Sequence, residues 1–221
     1  MAENPKENQT EKQEKRKRDS MWYPVVYMFS VTFVLAFILV GLNSVTRERV
    51  EKNREVMFER AVLSAVMPDE FSMQSPPGTV HAAFRERIKP PTDGSAPAYR
   101  FYENNTLAGY ALPVEGQGFW DTIKGVIGFQ PDKKTVISIA FHQQSETPGL
   151  GGEIIKPYFR KRFEGLETSE SAPAVELAPK GTAAEGNRVH SITGATQTSK
   201  KLEIIINNAV ADWRETEGDN D

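Results

Sequence analysis

A segment rich in hydroxyl side chains, residues 190–198, has the residue types that can hold a phosphate group. We call it the threonine segment, and its small and hydroxyl-bearing members are Ser191, Thr193, Gly194, Ala195, Thr196 and Thr198. Apolar residues recur at helical spacing after them, which predicts an amphipathic helix over residues 198–213. Free N–H groups and the positive dipole end at the start of that helix favour an anion beside Thr196. The alternative interpretation is that a hydroxyl side chain here only caps the start of the helix.

A second segment, residues 146–152, combines a carboxylate, a hydroxyl and several glycines, and we call it the glycine loop. Its sequence is Glu146-Thr147-Pro148-Gly149-Leu150-Gly151-Gly152. Glycine lets the backbone approach a flat ligand closely, while Leu150 offers an apolar face and Thr147 a hydroxyl. Glu146 either orients the loop or contacts the ligand. A turn after a strand is the alternative interpretation of the whole segment.

Together these segments resemble the FMN-binding domain family, which includes the C subunit of the Na+-translocating NADH:quinone reductase and the G subunit of the Rnf complex. Residues 193–196 are similar to the flavinylation motif of that family, and the glycine loop is similar to its second motif. The resemblance extends over most of residues 98–213 and is closer to the reductase than to the Rnf protein. It implies an FMN bound covalently to Thr196 through a phosphoester, made from FAD by a separate flavin transferase.

The resemblance also implies which side chains surround the flavin. The predicted cofactor-binding residues are Thr196, which carries the FMN, and Trp120, Glu146, Thr147, Gly149, Leu150, Gly151, Ser191, Thr193, Gly194, Ala195 and Thr198. Trp120 either contacts the flavin edge or belongs to the core. His190 stands where the family usually has an acidic residue. It either forms a hydrogen bond near the modification site or faces solvent before the turn.

Composition excludes several classes of function. The chain has 221 residues, no cysteine and a formal net charge of −3. Without cysteine it supplies no thiolate zinc site or cysteine-ligated iron–sulfur cluster, so any electron that it carries must sit on a bound cofactor. The net charge argues against a nucleic-acid-binding protein. His81 and His142 have no partner at metal-ligand spacing, so no metal site is predicted.

The chain lacks a Gly-x-Gly-x-x-Gly nucleotide fingerprint, so an electron carrier of this kind needs partner subunits. The resemblance implies a covalent-FMN electron-carrier subunit of a membrane complex that couples NADH oxidation by quinone to Na+ export. One alternative is the G subunit of an Rnf-type ferredoxin:NAD oxidoreductase. Others are a membrane-anchored flavin sensor or assembly factor, and a binding module without flavin in which both motifs are only turns.

The N-terminal part contains a segment that can cross a membrane. Residues 21–45 include no Asp, Glu, Lys or Arg, and residues 22–42 are rich in Val, Phe, Leu and Ile. At a rise of ~1.5 Å per residue, this stretch spans the ~30 Å hydrocarbon core of a bilayer. A cleaved signal peptide is the alternative, but its apolar core is normally shorter and ends in a small-residue cleavage site. We therefore predict a transmembrane helix over residues 21–43.

Charges beside this span predict its orientation. Lysines and arginines cluster tightly in residues 12–18 before the span, whereas those after it alternate with glutamates. Positive residues are retained in the cytoplasm. We therefore predict a single-pass protein of the bacterial inner membrane, with a cytoplasmic N-terminus and a periplasmic C-terminal domain.

The rest of the chain divides by composition. Residues 1–20 are charged and polar, which predicts a disordered cytoplasmic tail. Residues 44–97 predict a membrane-proximal helix that ends near Pro68, followed by irregular structure. Residues 98–215 are predicted to form the FMN-binding domain, and residues 216–221 a short tail.

The predicted domain is α+β. Its strands are predicted at residues 98–102, 107–112, 122–129 and 135–141. Short connections, one with two asparagines that tolerate left-handed turn geometry, imply antiparallel neighbours. A short helix is predicted to begin at Pro157, and residues 167–186 are predicted to form a polar loop. The expected architecture is one N-terminal transmembrane helix followed by an extracytoplasmic domain with an antiparallel sheet packed by helices.

Overall fold

The computed structural model describes residues 5–91, 97–183 and 185–218. The chain forms two compact units, Met1–Asn53 and Arg54–Asp221. Helix α1 (Pro5–Val66) supplies the first unit and the beginning of the second. The part Trp22–Val66 contains a stretch long and apolar enough to cross a membrane, and the side chains of this stretch are not buried against other parts of the protein. The prediction of one long apolar N-terminal helix is confirmed.

The prediction of a disordered tail over residues 1–20 differs from the structure, because α1 begins at Pro5. The physical reason is that the Glu, Lys, Gln and Arg of this segment are strong helix formers. Adding residues to a helix that already exists costs little compared with starting one. Residues 1–4 lie outside the described part of the chain.

The second unit is built on a five-stranded antiparallel sheet with strand order β1-β2-β3-β4-β5. The strands are β1 (Ile88–Lys89), β2 (Tyr99–Glu103), β3 (Thr106–Gln117), β4 (Thr122–Phe129) and β5 (Val136–Gln143). Asn104 and Asn105 join β2 to β3 with φ angles of 47° and 64°, as a two-residue hairpin turn requires. The predicted strand pairs are confirmed, and β3 is longer than predicted.

Helices cover both faces of the sheet, because successive side chains of a strand point to opposite faces. On one face, Ala111, Val126 and Ala140 pack with the last turns of α1 and with helix α2 (Pro77–Arg87). A Cβ atom on Gly128 would collide with the carbonyl oxygen of Ala65, so α1 lies directly on β4.

On the other face, helix α4 (Thr196–Gly218) covers the larger core. Trp213 lies between the rings of Tyr110 and Phe129, with centroid distances of 5.4 and 5.1 Å. Helix α4 is longer than the predicted residues 198–213 and includes residues 216–218 of the predicted tail. Residues 219–221 lie outside the described part of the chain.

Two further boundaries differ from the predictions. Part of the predicted membrane-proximal segment, residues 44–97, belongs to the folded domain, because the last turns of α1 and helix α2 supply one of its two cores and β1 belongs to its sheet. The polar loop at residues 167–186 contains strand β6 (Glu176–Ala178), which pairs in parallel with β7 (Arg188–His190). Both strands have three residues, too few to show a periodic pattern.

The short helix predicted from Pro157 is present as α3 (Pro157–Arg160). Single 3-10 turns at Gly151–Ile155 and Lys161–Phe163 flank it. Phe159 and Phe163 anchor this region in the core that α4 covers. The end of the glycine loop is therefore continuous with a well-packed segment.

Candidate functional site

A turn between β3 and β4 presents two aromatic rings to solvent, and we call residues 118–121 the aromatic turn. The N–H of Gly118 donates to the carbonyl of Asp121 at 2.9 Å, which closes the turn. The side chains of Phe119 and Trp120 are 51% and 64% exposed. Their rings contact each other edge to face at 5.0 Å. The interpretation of Trp120 as a core residue is therefore wrong, and the ring is free to contact a ligand.

The glycine loop meets the aromatic turn through two sets of hydrogen bonds. The indole Nε1 of Trp120 donates to the Thr147 hydroxyl at 3.0 Å, which orients the exposed ring. The carboxylate Oε1 of Glu146 accepts the backbone N–H groups of Phe119 and Trp120 at 2.8 and 3.1 Å. Glu146 itself is only 4% exposed. This geometry agrees with the interpretation that Glu146 orients the glycine loop.

The threonine segment completes the same cluster. The hydroxyl of Thr198, a buried residue, donates to Oε2 of Glu146 at 2.6 Å. A Cβ atom built on Gly194 would lie 3.2 Å from Cδ2 of Leu150, so the glycine loop touches the threonine segment there. The structure thus brings together three segments that are far apart in sequence.

Thr196 is the first residue of α4, and it is exposed. The backbone N–H groups of Thr196, Gln197 and Thr198 donate to no protein acceptor in the described part of the chain. Gly194 precedes the helix with a φ of 80°, a left-handed conformation that glycine adopts at little cost. The hydroxyl of Thr196 therefore stands beside free N–H donors at the positive end of a long helix, as an anion site requires.

The other predicted phosphate neighbours differ in exposure. Thr193 is exposed, Ser191 is partly buried and Ala195 is 7% exposed. Ser199, which is not among the predicted site residues, accepts the N–H of Ile192 at 3.2 Å. Ser199 is buried and closes the turn before α4 with this hydrogen bond, whereas Thr196 is exposed.

Arg162 holds the beginning of the threonine segment, a role that no sequence signal indicated. Its Nη1 donates to the carbonyls of His190 and Ser191 at 2.6 and 3.2 Å. Its guanidinium carbon also lies 5.3 Å from the ring centroid of Tyr158. Among the described residues, Nδ1 of His190 is buried without a hydrogen-bond partner, so His190 is not simply a solvent-facing residue.

The glycines of the glycine loop serve different purposes. Gly149 has a φ of 78°, and a Cβ atom there would meet nothing within 4 Å. A Cβ atom on Gly151 would collide with the Thr198 hydroxyl and lie 2.8 Å from Oε2 of Glu146. The backbone at Gly151 therefore lies close to other atoms of the protein itself.

Other candidate sites lie apart from this cluster. A cleft of about 280 Å³ is lined by Met57, Met73, Gln74, Phe141, His142, Gln143, Gln144, Ile155, Pro157 and Arg160. None of these residues belongs to the aromatic turn, the glycine loop or the threonine segment. Within the described ranges, no group of three or more His, Cys, Asp or Glu residues is placed to hold a metal ion. His81 instead contacts Glu59, with 2.8 Å between Nδ1 and Oε1.

Comparison with known proteins gives consistent matches. Residues 118–211 match the model of the FMN-binding domain family. The C subunit of the Na(+)-translocating NADH-quinone reductase of Haemophilus ducreyi is 36% identical over 109 residues, which cover 48% of this chain and 41% of that protein. The same subunit from Neisseria meningitidis serogroup A is 33% identical over 103 residues, which cover 46% and 40%. The matched segment thus spans about two fifths of the length of these relatives.

Two solved structures share the fold. The C subunit of the Na(+)-translocating NADH-quinone reductase from Parabacteroides distasonis superposes with a TM-score of 0.65 at 22% identity, covering 76% of this chain and 96% of that chain. Shewanella oneidensis NqrC gives a TM-score of 0.60 at 16% identity, covering 76% and 99%. The aromatic turn, the glycine loop and the threonine segment all lie within residues 118–211, the part of the chain that matches the model of the FMN-binding domain family.

Proposed function

We propose that this chain is an electron-carrying subunit with FMN bound covalently to Thr196, in a membrane complex that couples NADH oxidation by quinone to Na+ export. The observation that carries the proposal is the convergence of an exposed threonine, free helix N–H groups and exposed apolar side chains in one place. The family match of residues 118–211 supports FMN as the ligand.

The residues present fit FMN. The N–H groups at the start of α4 suit its phosphate, because they donate to no acceptor among the described residues and lie at the positive end of the helix dipole. The exposed Trp120 and Leu150, 64% and 44% accessible, supply apolar surface for its ring system. Thr147 orients the indole of Trp120. Bound FMN supplies reversible electron uptake, while the protein supplies binding, orientation and shielding from water.

The covalent bond requires a separate flavin transferase. In the proposed reaction the Thr196 oxygen bonds to the FMN phosphorus of FAD, AMP leaves, and the hydroxyl proton passes to a base. Glu146, the carboxylate that joins the three segments of the site, is buried and already accepts the Thr198 hydroxyl, so it is not free to act as that base. The base is therefore assigned to the transferase.

Partner subunits are needed for the other reactions. The chain has no cysteine and no nucleotide fingerprint, so NADH oxidation, quinone reduction and the ion path are assigned to other subunits. The relatives from Haemophilus ducreyi and Neisseria meningitidis both bear the name of the C subunit of the Na(+)-translocating NADH-quinone reductase. Their names favour this complex over the Rnf alternative.

The lipid bilayer is the remaining partner. We place the protein in the bacterial inner membrane with its N-terminus in the cytoplasm and residues 54–221 on the periplasmic side, in line with the basic cluster before the apolar stretch. Protease added to spheroplasts should then digest the C-terminal domain. Protection of that domain would reverse the proposed orientation.

Replacement of Thr196 tests the attachment site. The full-length chain, co-expressed with a flavin transferase, should be fluorescent in a denaturing gel and heavier by one FMN. Thr196→Val should abolish the label because it lacks the hydroxyl oxygen. Thr106→Val is the matched control, since Thr106 is also exposed and lies outside the predicted site. Label retained by Thr196→Val, or lost equally in both variants, would contradict the assignment.

A further inference from the structure

Glu146 has an arrangement of partners that its place in the glycine loop does not explain. Its carboxylate is buried and accepts three hydrogen bonds from outside the loop. Two come from the backbone of the aromatic turn and one comes from the Thr198 hydroxyl in α4. One side chain therefore joins the aromatic turn to the helix that carries Thr196.

The atoms packed around the Glu146 carboxylate leave it with these three hydrogen-bond partners. A Cβ atom on Gly118 would lie 2.6 Å from Oε1, and one on Gly151 would lie 2.8 Å from Oε2. In the described part of the chain, no lysine or arginine forms an ion pair with Glu146. A buried carboxylate is costly unless hydrogen bonds satisfy it, so any movement of the turn or the helix away from Glu146 is opposed.

We propose that Glu146 is a positioning residue that sets the Trp120 ring relative to Thr196, and that Thr198 acts through Glu146 and not as a phosphate ligand. The inference rests on the proposed function, because the distance between these two residues matters only if one ligand contacts both. A ligand attached to Thr196 meets the Trp120 ring only while Glu146 holds the two segments together.

Amide hydrogen exchange of the flavin-free full-length protein tests the contact without any cofactor. Glu146→Ala should speed exchange at Phe119 and Trp120 by about tenfold, since hydrogen bonds to a charged group are lost. Glu146→Gln should largely restore protection, because its amide oxygen accepts from the turn while its NH₂ group faces Thr198, whose hydroxyl can turn to accept from it. Unchanged exchange in Glu146→Ala, or a glutamine variant as unprotected as the alanine variant, would overturn the proposal.

Thr198 provides a gentler pair of variants if Glu146→Ala does not fold. Thr198→Val keeps the shape but removes the donor, whereas Thr198→Ser keeps the hydroxyl. Thr198→Val should increase exchange at the Phe119 and Trp120 amides, which the loss of a phosphate contact cannot do in flavin-free protein. Equal exchange in the two variants would show that Thr198 does not act through Glu146.

Fluorescence of the flavinylated protein shows whether the Trp120 ring contacts the attached FMN. A tryptophan in contact with a flavin quenches its emission, so the attached FMN should be several-fold brighter in Glu146→Ala than in the wild type or in Glu146→Gln. Equally dim flavin in all three proteins would contradict the positioning role. A wild type that carries no FMN would refute the proposed function instead, and the exchange data would still decide the role of Glu146.

Discussion

Gly151 and Gly149 stand two positions apart in the glycine loop and are required for different physical reasons. Gly149 has the left-handed backbone conformation with open space around it, whereas Gly151 has the Thr198 hydroxyl and the Glu146 carboxylate against it. A side chain at Gly151 therefore disturbs the joint between three segments. A side chain at Gly149 strains only its own backbone.

Gly151→Ala should lower the free energy of unfolding by about 1–3 kcal/mol, because the added methyl group overpacks a buried site. Thermal or denaturant unfolding of the full-length protein in detergent measures the change. Gly78→Ala is the control, since a Cβ atom there meets nothing within 4 Å and the position lies in α2. The control should be neutral or more stable by about 0.5–1 kcal/mol. Equal stability of the two variants would contradict the packing at Gly151.

His142 makes the stability of the domain depend on pH. Burial lowers its pKa from the ordinary value of 6.5, and the charge of Lys124 lowers it further, with Glu115 opposing. The ring packs edge to face against Phe58 at 5.7 Å. Below pH 6.5 the unfolded chain binds a proton that the folded protein does not, so stability falls as the pH falls.

Unfolding midpoints of the wild type and His142→Gln, measured from about pH 8 to pH 5, test this effect. The wild type should lose stability relative to the variant below pH 6.5, the ordinary pKa of histidine. Above that pH the difference between the two proteins should stay constant. A constant difference over the whole range would show that His142 does not titrate differently in the folded state.

At the residue scale, local pattern indicated the chemistry of the site but not its internal contacts. Thr196, Trp120 and Leu150 carry signals in their type and neighbours, and the structure exposes all three. The contact of Thr198 with Glu146 joins residues 52 positions apart, and no local spacing encodes it. Arg162 was missed for the same reason, because it binds backbone carbonyls, which every residue has.

Helix α4 does more than cover the sheet, because two of its side chains act as hydrogen-bond partners for the β6 region. Asn207 accepts the N–H of Val175 at 2.9 Å and donates to its carbonyl at 2.8 Å. Glu203 accepts the N–H of Leu177 at 2.6 Å. These contacts replace the neighbouring strand that β6 would otherwise need on that side.

Asn207→Ala should destabilise the domain by about 1–3 kcal/mol, because it leaves two buried backbone groups of Val175 unpaired. Hydrogen exchange at residues 174–178 should increase more than elsewhere. Asn208→Ala is the matched control, since its side chain is exposed on the same helix. If both variants exchange alike over these residues, the helix does not support β6.

At the element scale, strong periodicity predicted α4 and the long strands, while short elements escaped. The asparagine turn before β3 is a local signal, and the structure agrees with it. The apolar residues of β5 alternate imperfectly, which indicates a strand buried in part on both faces, and residues 138–141 are all buried. Strand β1 has two residues and exists only because β2 lies beside it. The pairing of such short strands is set by tertiary structure and not by the intrinsic β-propensity of their residues.

At the scale of the whole molecule, the folded domain includes residues that the sequence assigned to a membrane-proximal helix outside it. Ala61, Val62, Leu63 and Ala65 are fully buried at the end of α1. They pack in one core cluster with the sheet face formed by Ala111, Val126 and Ala140. The independent folding unit should therefore begin near Arg54 and not at residue 98.

Two truncated proteins test this boundary. A chain of residues 54–221 should unfold cooperatively, whereas a chain of residues 98–221 should expose an apolar sheet face and aggregate. Each buried valine or leucine that is lost removes about 1.5–3 kcal/mol, and the total stability of a domain is only about 5–15 kcal/mol. Calorimetry of both proteins measures the difference. Cooperative unfolding of the shorter chain at the same temperature would place the boundary at residue 98 after all.

The position of α4 after the sheet in chain order has a consequence for biosynthesis. A ribosome releases α1, α2 and the whole five-stranded sheet before the helix that covers the larger core. The contact between Glu146 and Thr198 cannot form until α4 packs, since Leu202, Ile206 and Trp213 hold that helix in the core. We therefore expect the proposed flavin attachment to follow the synthesis and packing of α4. A nascent protein that ends inside α4 should contain Thr196 and still be a poor substrate for the transferase.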